Sequence, residues 1–311
     1  MGSGLTMNNN TMSLQKDTDQ QVAVVTGSST GMGYATALHL ARSGYLTFAT
    51  MRNPAKRTDL IRAAENEMLS IQVEQLDVTN TNSIKDFITR LGESIDRIDI
   101  LVKNAGYVSI GSLEDLSMKE IQDQFDTNLL GTIRVTQQVL LVMRAQGSGI
   151  IVNISSALGR FGIPGMSAYV ASKFALEGLS ESLAYEVGPF GIRIILIEPG
   201  VVKTNFLDNS VVGQGALMED SPYSGMLMSL ISTVNALIEH ASTSDQVAAT
   251  ILQSISSPEP KLRYPVGHDA ATWLGKKSTM TDEQFQEYWK NSIVSIAPSQ
   301  RRFLKLGSRC Q

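Results

Sequence analysis

The sequence predicts an α/β fold: a doubly wound parallel sheet with helices on both faces, built as a single domain over residues 21–295. Three observations predict it. Short apolar runs alternate strictly with amphipathic helical patterns, the pattern expected of a parallel sheet covered on both sides. A glycine-rich turn, Gly27-Ser28-Ser29-Thr30-Gly31-Met32-Gly33, lies between the first run and the first helical pattern. No repeat of solenoid period and no linker divides the chain.

The elements follow in order. The first strand is 22–26. Ala35, Leu38 and Ala41 recur at helical spacing over 32–43, and Gly44 stops that helix. A strand covers 45–50. Pro54 opens a helix to about residue 67, since a first turn does not need the missing N–H. A strand at 71–76, a helix at 80–95 with Asn or Thr as its cap, and a strand at 98–102 come next. A long helix over about 118–145 leads into the strand 149–154. The following helix, about 168–187, is stopped by Gly188-Pro189, and the strand 192–197 is ended by Pro199-Gly200.

Past Gly200 the alternation breaks. Residues 203–242 read as loop and helix rich in Met, Ser and Leu, including Met218, Met226 and Met228. Methionine adapts to varied apolar shapes, so this segment suits a substrate-pocket wall or lid as well as ordinary core. A helix near 244–254, a strand near 262–266 and helical sequence over 268–295 complete the domain. Residues 1–20 read as a disordered leader and 296–311 as a loose basic tail. Gly2 and Thr6 fit the spacing for myristoylation, a permissive motif set against the leader reading.

Composition excludes several function classes. With 311 residues, 42% of them apolar and 18% charged, the chain is globular and long enough for a sizeable core. A formal net charge of −4 argues against nucleic-acid binding. The single cysteine, Cys310, permits no internal disulfide, and a cytoplasmic location follows as the expectation. His39, His240 and His268 are scattered, so no metal site is expected and zinc-dependent alcohol dehydrogenation is set aside. No run approaches the roughly 18 apolar residues of a membrane span.

The glycine-rich turn sits in a strand–turn–helix context, as in a Rossmann-type fold. Gly27, Gly31 and Gly33 allow a tight turn that brings a diphosphate to backbone N–H groups around Ser29, Thr30 and Met32 at the helix start. At the end of the second strand an NAD site usually carries an acid, but this chain has Thr50-Met51-Arg52-Asn53 and no acid before Asp59. Arg52 therefore points to NADP, with NAD second; a solvated surface arginine is the plainer alternative.

Tyr169 and Lys173 stand four apart and share one helix face just after the fifth strand. The spacing alone is cheap; its place beyond the carboxyl ends of the strands gives it weight. A nearby ammonium and an oxidised nicotinamide both favour the phenolate, so Tyr169 is expected to have a depressed pKa and to exchange a proton with a carbonyl or alcohol oxygen. Ser156, at the end of the fifth strand, offers a hydroxyl to the same oxygen. Ser155 is its neighbour, and only one of the two should face the substrate; either could instead cap a turn.

Together, 26–33, Asp77-Val78-Thr79, Asn104-Ala105-Gly106, Asn128, Ser156, Tyr169, Lys173 and Pro199-Gly200 with Thr204 resemble the short-chain dehydrogenase/reductase family, compact non-extended type. The resemblance implies that Asp77 and Val78 contact adenine and that Asn104, Ala105 and Gly106 lie on the adenosine side. It implies that Pro199, Gly200, Val202 and Thr204 serve the nicotinamide end. It also implies that Asn128 positions a water beside Lys173, completing an Asn128–Ser156–Tyr169–Lys173 catalytic set with Ser156 selected over Ser155. Relatives pair as homodimers or homotetramers. The run 169–179 and Ala49-Thr50-Met51-Arg52 resemble hydroxysteroid and retinol dehydrogenase members, implying a small hydrophobic carbonyl or alcohol substrate. Lys103 departs from the family's usual Asn, and buried there it must be paired or snorkel. A 3-ketoacyl thioester reductase and a catalytically silent nicotinamide-sensing regulator are the alternatives.

Overall fold

The structure is a computed structural model that describes residues 20–203, 210–218 and 221–294. The leader through residue 19, Thr204 and the basic tail lie outside the described residues. In chain order the first half is β1 (Val22–Thr26), α1 (Gly31–Arg42), β2 (Leu46–Met51), α2 (Thr58–Asn66), β3 (Ile71–Gln75), α3 (Thr81–Ser94) and β4 (Ile100–Lys103). Then come β5 (Val108–Ile110), α4 (Met118–Phe125), α5 (Gly131–Gln146), β6 (Gly149–Ile154), α6 (Ser167–Val187) and β7 (Ile192–Pro199). The remainder is β8 (Val202–Lys203), β9 (Ser210–Val212), α7 (Ser224–Ile238), β10 (Ser242–Thr243), α8 (Ser244–Ser256), β11 (Arg263–Val266), α9 (His268–Thr279) and α10 (Asp282–Trp289).

Seven strands form one sheet in the order β11–β7–β6–β4–β1–β2–β3, every pair parallel. Strand order reverses between β1 and β4, which opens a crevice at their carboxyl ends. Alternate residues serve opposite faces. Ala23, Val25, Ile195 and Ile197 pack against Leu38 and Leu40 of α1 and Val247 and Ile251 of α8. Val22, Val24, Leu101 and Ile151 pack against Phe87 of α3, Val139 of α5 and Leu183 of α6. Burial on both faces is why these strands read as continuous apolar runs. A third cluster, with Phe161, Leu230, Phe285 and Trp289, lies apart from these two.

The expected strands and helices stand within a few residues of their predicted bounds. Three features differ. The long helix over 118–145 is two helices joined by a π-helical turn at Asp126–Leu130. The helical run over 268–295 breaks at Thr281, whose side chain accepts from Gln284 N–H and starts α10 with a capping box. Two small parallel pairs, β5 with β9 and β8 with β10, are additional. Strands of two or three residues are too short to leave a periodic signal.

Candidate active site

A cavity of about 830 Å³ opens at the crevice, and Gly27, Ser29, Thr30, Gly31 and Met32 line it beside the start of α1. Thr30 occupies the helix N-cap without a side-chain cap bond, and the first turn holds no acid. Its backbone N–H groups are thus presented to an anion. Gly27 adopts φ +69°, a left-handed conformation that glycine tolerates best. Gly33 lies behind the turn, where a Cβ would fall 2.4 Å from both the Gly27 carbonyl oxygen and Asn104 Nδ2.

The end of β4 braces this turn. Asn104 Nδ2 donates to the Thr26 and Gly27 carbonyls at 3.1 and 3.0 Å. The N–H groups of Asn104 and Ala105 donate to Thr26 Oγ1 at 3.0 and 3.1 Å. Asn104, Ala105 and Gly106 also line the cavity. So do Asp77 and Val78. The Asp77 carboxylate accepts from the Thr79 N–H at 2.9 Å and hydroxyl at 2.7 Å.

Arg52 is exposed at the end of β2 and lines the same cavity, and so does Lys56, a second cation that the sequence reading passes over. Asn53 instead caps the following turn, accepting from Ala55 N–H at 3.0 Å. Pro199, Gly200 and Val202 line the other side of the cavity. Asp269 of α9 holds that loop, accepting from Val201 N–H at 2.6 Å, and a Cβ on Gly200 would meet its carboxylate. Asp269 was also missed; an acid in the first turn of a helix ordinarily serves the helix dipole.

Tyr169, Lys173 and Ser156 meet in the cavity. Lys173 Nζ donates to the Ile154 carbonyl at 2.8 Å and lies 5.7 Å from the centroid of the Tyr169 ring. Ser156 Oγ accepts from Leu158 N–H at 3.1 Å, so this serine caps the 157–159 turn while also facing the cavity. Ser155 hydrogen-bonds through its N–H to the Ile197 carbonyl, and its hydroxyl is buried. Burial pushes the Tyr169 phenol up to about 12, against a hydrogen bond with Ser156 that lowers it. Burial brings Lys173 down to about 8, against the opposing charge of Glu177. Within the cavity itself burial is the larger of these two effects on the phenol; the expected depression draws also on the charge of an oxidised nicotinamide.

Asn128 sits on the π-helical turn and is buried beside the cavity rather than lining it. Its Oδ1 accepts from Tyr107 N–H at 3.1 Å, and its Nδ2 donates to the Tyr107 carbonyl at 3.0 Å and to Ser172 Oγ at 3.4 Å. The wider turn rotates this side chain inward, a common use of such turns near functional sites. Lys103 is 4% exposed and does not snorkel. Its Nζ donates to Thr136 Oγ1, and burial lowers its pKa to about 7.

Beyond Tyr169 the wall is apolar: Ile163, Met166, Leu230, Val234, Trp273 and Trp289. The 203–242 segment supplies Leu230 and Val234 to this wall, but not its methionines. Met218 and Met228 are exposed, and Met226 packs against the third cluster. Leucine, valine and two tryptophans do that work. The Trp273 ring is tilted 59° from that of Trp289 at 5.4 Å, and Phe161 stacks on Trp289 at 5.5 Å. The rarity of tryptophan in this chain was the signal available for these two.

Comparison with known proteins places these observations in a family. Residues 21–214 match the family described as short chain dehydrogenase. The chain is 40% identical over 284 residues to the uncharacterized oxidoreductase YusZ of Bacillus subtilis, covering 89% of this chain and all of that one. It is 32% identical over 252 residues to human 17-beta-hydroxysteroid dehydrogenase type 1, covering 78% of this chain and 76% of that one. Among solved structures, a short-chain dehydrogenase from Streptomyces avermitilis superposes with a TM-score of 0.77 at 31% identity, covering 89% of this chain and 98% of that one. An actinorhodin polyketide ketoreductase with NADPH superposes with a TM-score of 0.68 at 26% identity, covering 79% and 95%.

Proposed function

The chain belongs to the short chain dehydrogenase family of oxidoreductases, and from that premise we propose that it interconverts a small hydrophobic alcohol and its ketone or aldehyde using NADP(H). The observation that carries this reading is Tyr169 and Lys173 on one face of α6, facing a cavity whose far wall is apolar. The bound nicotinamide supplies or accepts the hydride. Tyr169 holds the proton delivered to, or taken from, the substrate oxygen. Ser156 donates a hydrogen bond to that oxygen as charge develops on it. Lys173 sets the field around the phenol, and Asn128 fixes the Tyr107 backbone beside it.

The residues fit the dinucleotide. The uncapped start of α1 and the glycine turn suit the diphosphate, with Gly33 and Asn104 shaping that turn from behind. Asp77, Val78, Ala105 and Gly106 line the adenosine side, and Pro199, Gly200 and Val202 the nicotinamide side. Arg52 and Lys56 at the end of β2 favour a 2′-phosphate, and the NADPH-bound relative supports that choice over NAD. Thr204 belongs to the same proposal. The domain assignment over 21–295 does too, as do a cytoplasmic location and assembly as a homodimer or homotetramer. Among the described residues no helix is long and apolar enough to cross a membrane.

The test is a panel of steroids, retinoids, aldehydes and ketoacyl esters, read by NADPH absorbance. Turnover of an apolar carbonyl with NADPH preferred over NADH is the expected result. Absence of turnover across the panel, with NADPH bound, counts for the sensing alternative.

A further inference from the structure

Glu177 lies one helical turn beyond Lys173 on α6, and both side chains are almost fully buried, 4% and 8% exposed. Side chains four apart on a helix are neighbours, with about 5–6 Å between their Cβ atoms. A buried carboxylate beside a buried ammonium needs a structural account, since each alone is costly. We infer that Glu177 is a positioning residue for Lys173: its carboxylate keeps the lysine an ammonium and so holds Nζ on the Ile154 carbonyl at the cavity. This rests on the role proposed above for Lys173.

The carboxylate is anchored at one oxygen and uncommitted at the other. Arg263 Nε of β11 lies 2.9 Å from Glu177 Oε2. Among the described residues, Oε1 is buried with no hydrogen-bond partner, as is Ser155 Oγ. Both border Gly159, where a Cβ would come within 2.9 Å of Ser155 Oγ and 3.3 Å of Glu177 Oε1. The carboxylate's charge, shared over both oxygens, acts on Arg263 in contact and on Lys173 from beyond ion-pair distance, one turn back along the helix.

The other charges around it are balanced. Arg263 also reaches Glu181 of α6 at 3.2 Å and Glu198 of β7 at 3.8 Å, and Arg160 meets Glu198 at 3.2 Å. Burial, and then Glu177, push the Glu198 carboxyl up. On Lys173 itself, Glu177 opposes the effect of burial. The set is three cations, Lys173, Arg160 and Arg263, facing three carboxyls, Glu177, Glu181 and Glu198.

The experiment follows the Lys173 side-chain nitrogen by NMR through a pH titration of the full chain, its signal assigned by loss in Lys173→Met. Glu177→Gln should lower the Lys173 midpoint by at least about one pH unit, the scale for an opposite charge within ~4–6 Å. Arg263→Gln leaves the carboxylate and removes a competing cation, so it should raise that midpoint. A general loosening of the helix would move both the same way. The proposal is overturned by an unchanged midpoint in Glu177→Gln or by shifts of the same sign in the two variants. If Glu177→Gln does not fold, the direction in Arg263→Gln decides. Turnover that survives Lys173→Met would instead overturn the proposed function, and the titration would still report the coupling.

Discussion

Tyr169→Phe removes one hydroxyl and keeps the ring, so its packing against the third cluster persists while the only proposed acid is lost. Turnover should fall by roughly 10²–10⁴, the usual contribution of general acid–base catalysis. NADPH affinity should stay within about twofold, as an assumed tolerance for a variant that alters no charge. Stopped-flow turnover and a fluorescence titration read the two separately, and near-normal turnover would remove Tyr169 from the chemistry. Its phenol, pushed up to about 12 by burial, makes a further point. The oxidative rate should rise with pH, because the deprotonated phenol takes the alcohol's proton, and Lys173→Ala should move its inflection upward by removing the ammonium. Arg52 makes a second residue-scale case. Arg52→Asp replaces a cation at the end of β2 with a repelling charge, so NADPH affinity should fall about ten- to a hundredfold while NADH affinity holds or improves. Equal NADPH binding in that variant would leave Lys56 as the phosphate contact.

At the scale of elements, Lys103 joins β4 to α5 through Thr136, whose hydroxyl in turn donates to the Thr132 carbonyl at 2.6 Å. Thr132 Oγ1 donates to the Asn128 carbonyl at 3.2 Å, so the chain of bonds ends at the π-helical turn. A lysine near 7 when folded and near its ordinary value, about 10.4, when unfolded binds fewer protons in the native state between those limits. Native stability therefore rises with pH from about 7 to 10 on its account, and its cost is greatest below 7. Lys103→Met lacks this titration. Melting curves should show the native chain gaining on the variant by a few degrees across that window. A difference that stays flat with pH would show that Lys103 keeps its proton when folded. The same elements show what was legible in the sequence. The seven sheet strands and the helices between them announce themselves because burial on both faces leaves unbroken apolar runs bounded by glycine, proline and caps. Tyr169, Lys173 and the 26–33 turn were legible because helix and turn geometry tie their spacing to one place. The π-helical turn was not, since Asp126-Thr127-Asn128-Leu129-Leu130 has ordinary helical composition, and the Asn128–Tyr107 bonds made there join residues 21 apart in the chain. Nor were Asp269, which holds the 199–202 loop, and Trp273 and Trp289, which line the cavity, all three placed there from helices far along the chain by tertiary packing.

For the whole molecule, the question is what covers the outer faces of α5 and α6. These helices pack on the same side of the sheet, through Val139 and Leu183 among others. Yet Leu130 beside α5, Leu141 on α5, and Phe174 and Tyr185 on α6 are 42%, 56%, 45% and 80% exposed. Single exposed apolar residues are normal, but three on these two helices, with Leu130 at the start of α5, leave faces suited to self-association. A symmetric dimer buries the same patch twice, so one charge introduced there acts twice. Light scattering at micromolar concentration should return twice or four times 33.7 kDa. Leu141→Glu combined with Tyr185→Glu should move that mass towards the monomer while circular dichroism keeps its helical signal, because neither side chain belongs to the buried core. Neither touches the cavity, so NADPH binding by the dissociated chain should persist. A mass of 33.7 kDa for the unaltered chain would show that these faces are simply solvated.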